Sequence, residues 1–101
     1  MSITNAQARQ LKSLAHHLKP VVLMGNNGLT DAVLAATDEA LELHELIKIK
    51  MAGSERDERK QLMQDICKAT NAEPVSVIGA TAIIYRANKD QPVIKLKAKP
   101  A

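Results

Sequence analysis

The chain has no tryptophan and no phenylalanine, and Tyr85 is its only aromatic residue. Modules that read single-stranded nucleic acid by stacking bases on rings need several such side chains. That mode is excluded, so a nucleic acid held by this chain must be gripped mainly through phosphate and sugar. Cysteine is as scarce. Cys67 stands alone, so no internal disulfide can form, which suits a reducing compartment. It lies in a helical pattern between Ile66 and Lys68 and reads as a packing residue, not a reactive one. No apolar run approaches the roughly 20 residues that a membrane helix needs. The N-terminal MSITNAQARQ lacks the basic and apolar regions of a signal peptide. The expectation is a cytoplasmic chain with no membrane partner.

What is present describes one folded domain. At 101 residues the chain can bury a single core. A hydrophobic share of 46% with 25% charged residues is that of an ordinary globular protein. The net charge is +3, too mild to identify a polyanionic partner by itself, but its distribution says more. Residues 1–30 carry Arg9, Lys12 and Lys19 and no acid. Residues 31–46 carry five acids and no base, and residues 47–101 carry eleven bases and six acids. A basic protein with one acidic segment must be more basic elsewhere on its surface.

TNAQ, at residues 4–7, is a capping-box pattern that opens a first helix at Thr4. Leu11, Leu14, Ala15 and Leu18 make its apolar face, and Arg9, Lys12, His16 and Lys19 lie opposite. Pro20 is expected to end it. Val21 to Met24, wholly apolar, read as a buried central strand. Gly25 to Gly28 turn the chain, and Thr30 caps a second helix running to about Leu43, with Leu29, Ala32, Val33, Ala36, Ala40 and Leu43 inward. ELIKIKMA alternates as a strand, with Ile47, Ile49 and Met51 on one side and Lys48 and Lys50 on the other. A third helix is expected over about 55–70, capped by Ser54 with Asp57, its apolar side holding Leu62, Met63, Ile66 and Ala69. VSVIG and AIIYR form a hairpin around Gly79, and VIKLKAK suggests a lysine-studded edge strand. The order α-β-α-β-α-β-β implies an α/β fold of the α+β two-layer kind: one compact domain, a four-stranded mixed sheet and three helices. Residues 1–97 form the domain, and 98–101 a short basic tail.

The turn Gly25-Asn26-Asn27-Gly28 has two readings. Glycine and asparagine tolerate positive φ, so it serves as a tight strand-to-helix connection. It also feeds a helix N-terminus, where free N–H groups and the macrodipole favour an anion, and its amides can donate to phosphate or ribose. No P-loop lysine follows Gly28, which argues against a nucleoside triphosphatase.

LKPVVLMGNNGLT, then HELIKIKM, then VIGATAIIYR stand in order over nearly the whole chain. Together they resemble the CRM domain, the chloroplast RNA splicing and ribosome maturation module, in its stand-alone bacterial YhbY form. The resemblance implies an RNA-binding fold similar to the C-terminal domain of translation initiation factor three, with a GxxG loop analogous to that of KH domains. It implies RNA as partner: for bacterial members, precursors of the large ribosomal subunit; for plant members with repeated copies, group II introns. A single copy favours the ribosomal role, with a pre-ribosomal particle as partner. The chain departs from the pattern at Asn26 and Asn27, where some members carry a base, and at Ala80, where many do.

The RNA-binding set read from these features is Gly25, Asn26, Asn27, Gly28, Thr30, Arg9, Lys12, Lys19, Lys48, Lys50 and Arg86. Arg86 has a second reading, an ion pair to an acid of the second helix. A basic helix face is otherwise a solvated surface, and the same holds for Lys48 and Lys50. His16, His17 and His44 do not make a metal site, and no nucleophile–base pair is visible, so neither catalysis nor a cofactor is expected. Two other readings compete: a kink-turn-type ribosomal RNA binder, against which the hairpin and the GNNG placement argue, and a protein-interaction module using the acidic second helix. The chain is read as a monomer.

Overall fold

Thr4 opens the first helix, α1 (Asn5–Ala15), through the expected capping box. Its hydroxyl accepts from the Gln7 N–H at 3.1 Å, and the Gln7 side chain accepts from the Thr4 N–H at 3.0 Å. The computed structural model describes residues 3–25, 27–52, 54–88 and 90. Asn26 and the strand expected in VIKLKAK lie outside the described residues.

Helix α1 stops at Ala15, short of Pro20. The His16 N–H is shared between the carbonyls of Lys12 and Ser13, and the Leu18 N–H closes a tighter turn onto Ala15. Proline only forbids helix at the residue before it. The earlier stop has a tertiary cause: Val21 donates to the Lys48 carbonyl at 3.1 Å, so residues 16–20 must carry the chain from helix to sheet.

The strands are β1 (Val22–Met24), β2 (Leu46–Met51), β3 (Glu73–Ile78) and β4 (Thr81–Tyr85), in the sheet order β1-β2-β4-β3. The β1–β2 pair is parallel and the others antiparallel, so the sheet is mixed as expected. Strand β1 is at an edge, however, and not central. Val22 and Met24 face the core, while Leu23 is 65% exposed. An apolar run of this length does not distinguish a strand buried on both faces from one buried on a single face.

Helix α2 (Asp31–His44) is capped by Thr30, whose hydroxyl accepts from the Val33 N–H at 3.2 Å. Its inward face holds Val33, Thr37, Ala40 and Leu41. The expected Ala32, Ala36 and Leu43 are exposed. Thr37 belongs inside because its hydroxyl donates to the Val33 carbonyl at 2.8 Å, which satisfies it without water.

One residue, Glu45, joins α2 to β2. It adopts φ 62°, uncommon for a residue with a side chain, and is buried. Its carbonyl accepts from the Arg86 N–H at 2.8 Å, and its carboxylate accepts from the Asn88 N–H. The Arg86 guanidinium returns to α2, meeting Asp38 Oδ1 at 2.6 Å and Glu42 Oε2 at 3.1 Å, and donates to the Thr70 carbonyl at 2.9 Å. The ion-pair reading of Arg86 is the one that the geometry realises.

A single 3-10 turn (Arg56–Glu58) leads into α3 (Arg59–Thr70). The cap is not Ser54 with Asp57. Glu58 accepts from the Glu55 N–H at 2.7 Å, while the Ser54 hydroxyl donates to the Met51 carbonyl and accepts from Arg59 Nε. Met63, Ile66, Cys67 and Thr70 form the buried side, and Ala69 is exposed. The hairpin turns at Gly79 with φ 58°, as the sequence suggests.

Helices α2 and α3 cover one face of the sheet through Val22, Met24, Ile47, Ile49, Met51, Ala82 and Ile84. Helix α1 covers part of the other through Leu11 and Ala15, against Leu46, Ile83 and Tyr85. What reads from sequence as two layers thus gains a partial third. Among the described residues no helix is long and apolar enough to cross a membrane.

Two outcomes follow from this packing. Arg86→Ala removes charge-assisted bonds that tie β4 to α2 and α3, and is expected to cost about 1.5–3 kcal/mol. A urea titration measures this, and an unchanged midpoint refutes it. Burial, with a smaller contribution from Glu73, pushes the Cys67 thiol up to about 12 from 9.0. The folded state thus favours the neutral thiol, and the stabilisation is present below about pH 9 and lost as pH rises towards 12. Cys67 in the native protein is expected to resist a thiol-specific alkylating reagent at pH 8 and to react on denaturation.

Candidate nucleic-acid interface

The side chains of β2 divide the site from the core. Ile47, Ile49 and Met51 enter the core shared with α2 and α3, so Leu46, Lys48 and Lys50 face the side of α1. Helix α1 brings Lys12 and His16 to the same side. Lys12, His16, Pro20, Lys48, Ile78 and Thr81 line one groove of about 330 Å³, and no carboxylate is among them. Lys48 is held in place, its Nζ donating to the Leu18 carbonyl at 3.0 Å. Lys50, exposed, stands one register step further along, opposite Thr81.

The basic stripe expected on the first helix is divided. Lys12 and His16 join Lys48 in the groove. Arg9 lies on the flank with Gln10 and Ser13. Lys19 falls beyond the shortened helix, beside an apolar hollow of about 440 Å³ lined by Leu14, Leu18, Val21, His44, Leu46 and Ile47. That hollow is at the opposite end of β2 from the GNNG turn.

The turn itself follows Met24 at the end of β1, which pairs with Met51 at the end of β2. The Met51 N–H donates to the Ala80 carbonyl at 2.7 Å, so the hairpin turn sits at this end too. The Gly28 N–H donates to the Gly25 carbonyl at 3.0 Å, closing a four-residue turn. Gly28 has φ 72°, a conformation that calls for glycine. Gly25 is different: its φ is outside the left-handed region, and an added Cβ would meet nothing within 4 Å. Folding gives no reason for glycine there. Asn27 is exposed. Thr30 is engaged as the cap of α2, and Asp31 puts a carboxylate in the first helical turn, where it competes with any other anion for the helix end.

Sequence reasoning undervalued His16, which helical spacing from Lys12 places in the groove, and it missed the basic cluster of Arg56, Arg59 and Lys60 beside Gly79. The latter is interspersed with Glu55, Asp57 and Glu58 and has no net charge, unlike the groove. Tyr85 is buried, so no aromatic ring is offered to a ligand among the described residues. Burial, and then the neighbouring Glu45, raise its phenol pKa. No group of three histidine, cysteine or acidic side chains suited to a metal occurs among the described residues.

The chain is 47% identical over 88 residues to a Pseudomonas aeruginosa protein named a probable RNA-binding protein, a match covering 87% of this chain and 85% of that one. It is 43% identical to a Haemophilus influenzae protein named an RNA-binding protein, over 88% of this chain and 90% of that one. A solution structure of a Staphylococcus aureus protein proposed to bind RNA superposes with a TM-score of 0.83 at 35% identity, covering 94% of this chain and 99% of that one. The model of the CRS1 / YhbY (CRM) domain matches residues 3–86, from before α1 to the arginine that ties β4 to α2. With the family model, the relatives and the superposed fold in agreement, the chain belongs to the CRS1 / YhbY (CRM) domain family.

Proposed function

We propose that the chain binds structured RNA through its backbone, and that it does so on precursors of the large ribosomal subunit in the cytoplasm. The observation that carries this reading is the groove of Lys12, His16 and Lys48 on the α1 face of the sheet, with no acid among its lining residues and extended by Lys50. The RNA-binding names of the relatives support the ligand class, and the single-copy bacterial resemblance supports the ribosomal target. The action is binding without chemistry.

The parts divide the work by their physical character. The lysines attract and orient phosphates. Gly25 lets a backbone come close, and Asn27 donates uncharged hydrogen bonds. Arg9 and Lys19, on other flanks, add only diffuse attraction, and Arg86 is reserved for the fold.

Sequencing of RNA cross-linked to the protein in cells tests the target. Enrichment of large-subunit precursor supports the reading, and enrichment of unrelated transcripts overturns it. The backbone mechanism has its own test in a titration at stepped salt. Three or so phosphate contacts give a log K against log salt slope of about −2 to −3. Replacing Lys12 and Lys50 by glutamine is expected to flatten that slope by about 1.5 while weakening different RNAs alike. A slope that does not change removes the groove from the interface.

The two glycines of the turn separate folding from binding. Gly25→Ala is expected to leave stability unchanged or raise it by about 0.4–1 kcal/mol, yet weaken RNA binding several-fold. Gly28→Ala places a Cβ at positive φ and is expected to cost about 1–2 kcal/mol. Thermal melts and binding isotherms on both variants decide the matter, and full RNA affinity in Gly25→Ala overturns the role of the loop.

A further inference from the structure

Helix α1 covers only part of its face of the sheet. Leu11 and Ala15 pack on Leu46, Ile83 and Tyr85, towards the start of β2. The last row at the other end has no cover among the described residues. It runs across all four strands in register: Leu23 opposite Lys50, Lys50 opposite Thr81, Thr81 opposite Ile78. Each of these four residues neighbours one that enters the opposite core: Val22 and Met24, Ile49 and Met51, Ala82, and Val77. Strand alternation therefore turns all four to the α1 face. With strands about 4.8 Å apart, the row spans roughly 15 Å. Its two ends are apolar and open to solvent, Leu23 at 65% and Ile78 at 53% exposure. Its middle is a lysine and a threonine. One long side is the groove of Lys12, His16 and Lys48, and at the Leu23 end the GNNG turn begins two residues further along the chain.

Phosphate recognition explains the lysines and leaves the exposed leucine and isoleucine without a purpose. Paired RNA does not explain them either. A duplex turns its phosphates and 2′-hydroxyls outward, and its base faces are stacked inside. A base reaches aliphatic side chains only when it is unstacked. The cationic border fits a polyanion and disfavours an apolar peptide.

We propose that this open row is a platform for one unpaired nucleotide of RNA, its base lying on Leu23 or Ile78 and its flanking phosphates on Lys12, Lys48 and Lys50. The platform does with aliphatic side chains what other sheet surfaces do with rings, which suits a chain whose only tyrosine is buried. This inference rests on the RNA-binding reading above and narrows its ligand to a stem interrupted by a bulged or looped-out residue.

Two RNA hairpins of one stem sequence, with and without a single bulged nucleotide, provide the test. Fluorescence anisotropy is read at one fixed salt concentration. The parent protein is expected to bind the bulged hairpin about tenfold more tightly. Leu23→Gln, at a mostly exposed site outside the groove, is expected to melt as the parent does and to bind the paired hairpin equally well, whereas Ile78→Gln, at a residue that lines the groove, is judged only by its preference between the two hairpins beside Ile78→Leu. The preference of both glutamine variants for the bulged RNA should fall to twofold or less, and Ile78→Leu should retain it. Equal binding of the two hairpins by the parent overturns the platform and leaves RNA binding standing. A preference that survives both glutamine variants also overturns it. Binding of neither hairpin at low salt overturns the RNA-binding reading itself. A dimer in sedimentation velocity that either glutamine variant disperses marks the row as a contact between copies of the chain and overturns the nucleotide.

Discussion

A one-residue joint at Glu45 holds the two halves of this molecule in register. The backbone must leave α2 and enter β2 without a loop, and it does so at φ 62°. A residue with a side chain in such a conformation costs on the order of 1–3 kcal/mol. That cost is offset where the joint is held from outside, by the Arg86 N–H on its carbonyl and the Asn88 N–H on its carboxylate. Arg86 then reaches back to Asp38 and Glu42, so the strand after the hairpin and the helix before β2 become one unit. Because α2 is rigidly joined to β2 at one end, its other end, with Thr30 and the GNNG turn, comes to rest where β1 pairs with β2. The position of the GNNG turn thus depends on the joint at the far end of α2.

The acidic segment has a place in the same scheme. Asp38 and Glu42 fix Arg86, and Glu45 is the joint. Asp38 and Glu42 stay largely exposed, on the face opposite to α1, and only Glu45 is buried. Among the described residues that line the cationic groove there is no carboxylate. Separation of charge between the two faces of one sheet therefore comes from structural needs as much as from binding.

Element order, the mixed sheet and the hairpin were legible because they depend on local chemistry: a capping box at Thr4, glycine at φ 58° after Ile78, alternation in LIKIKM. What escaped depends on neighbours. Pro20 marks a limit for α1 but not its end, which the Val21–Lys48 bond sets. Thr37 and Thr70 look polar in sequence and are core residues, since each donates to a carbonyl one turn back. The edge position of β1 was hidden because Leu23 is apolar, and apolar residues are read as buried. Of the site, the residue types were legible and their grouping was not. Lys12 and Lys48 meet only because α1 packs across β2, whereas Arg9 and Lys19, equally basic in the text, are carried elsewhere.

The two edges of the sheet differ in how they meet other chains. On one side β3 begins with Pro74 and slips register between Pro74 and Ser76, so it has a missing donor and a kink. On the other, β1 offers three residues between Pro20 and Gly25. Neither is a good template for a foreign strand. Blunt edges keep crowded copies of the chain from nucleating a shared sheet, so close approach does not become aggregation.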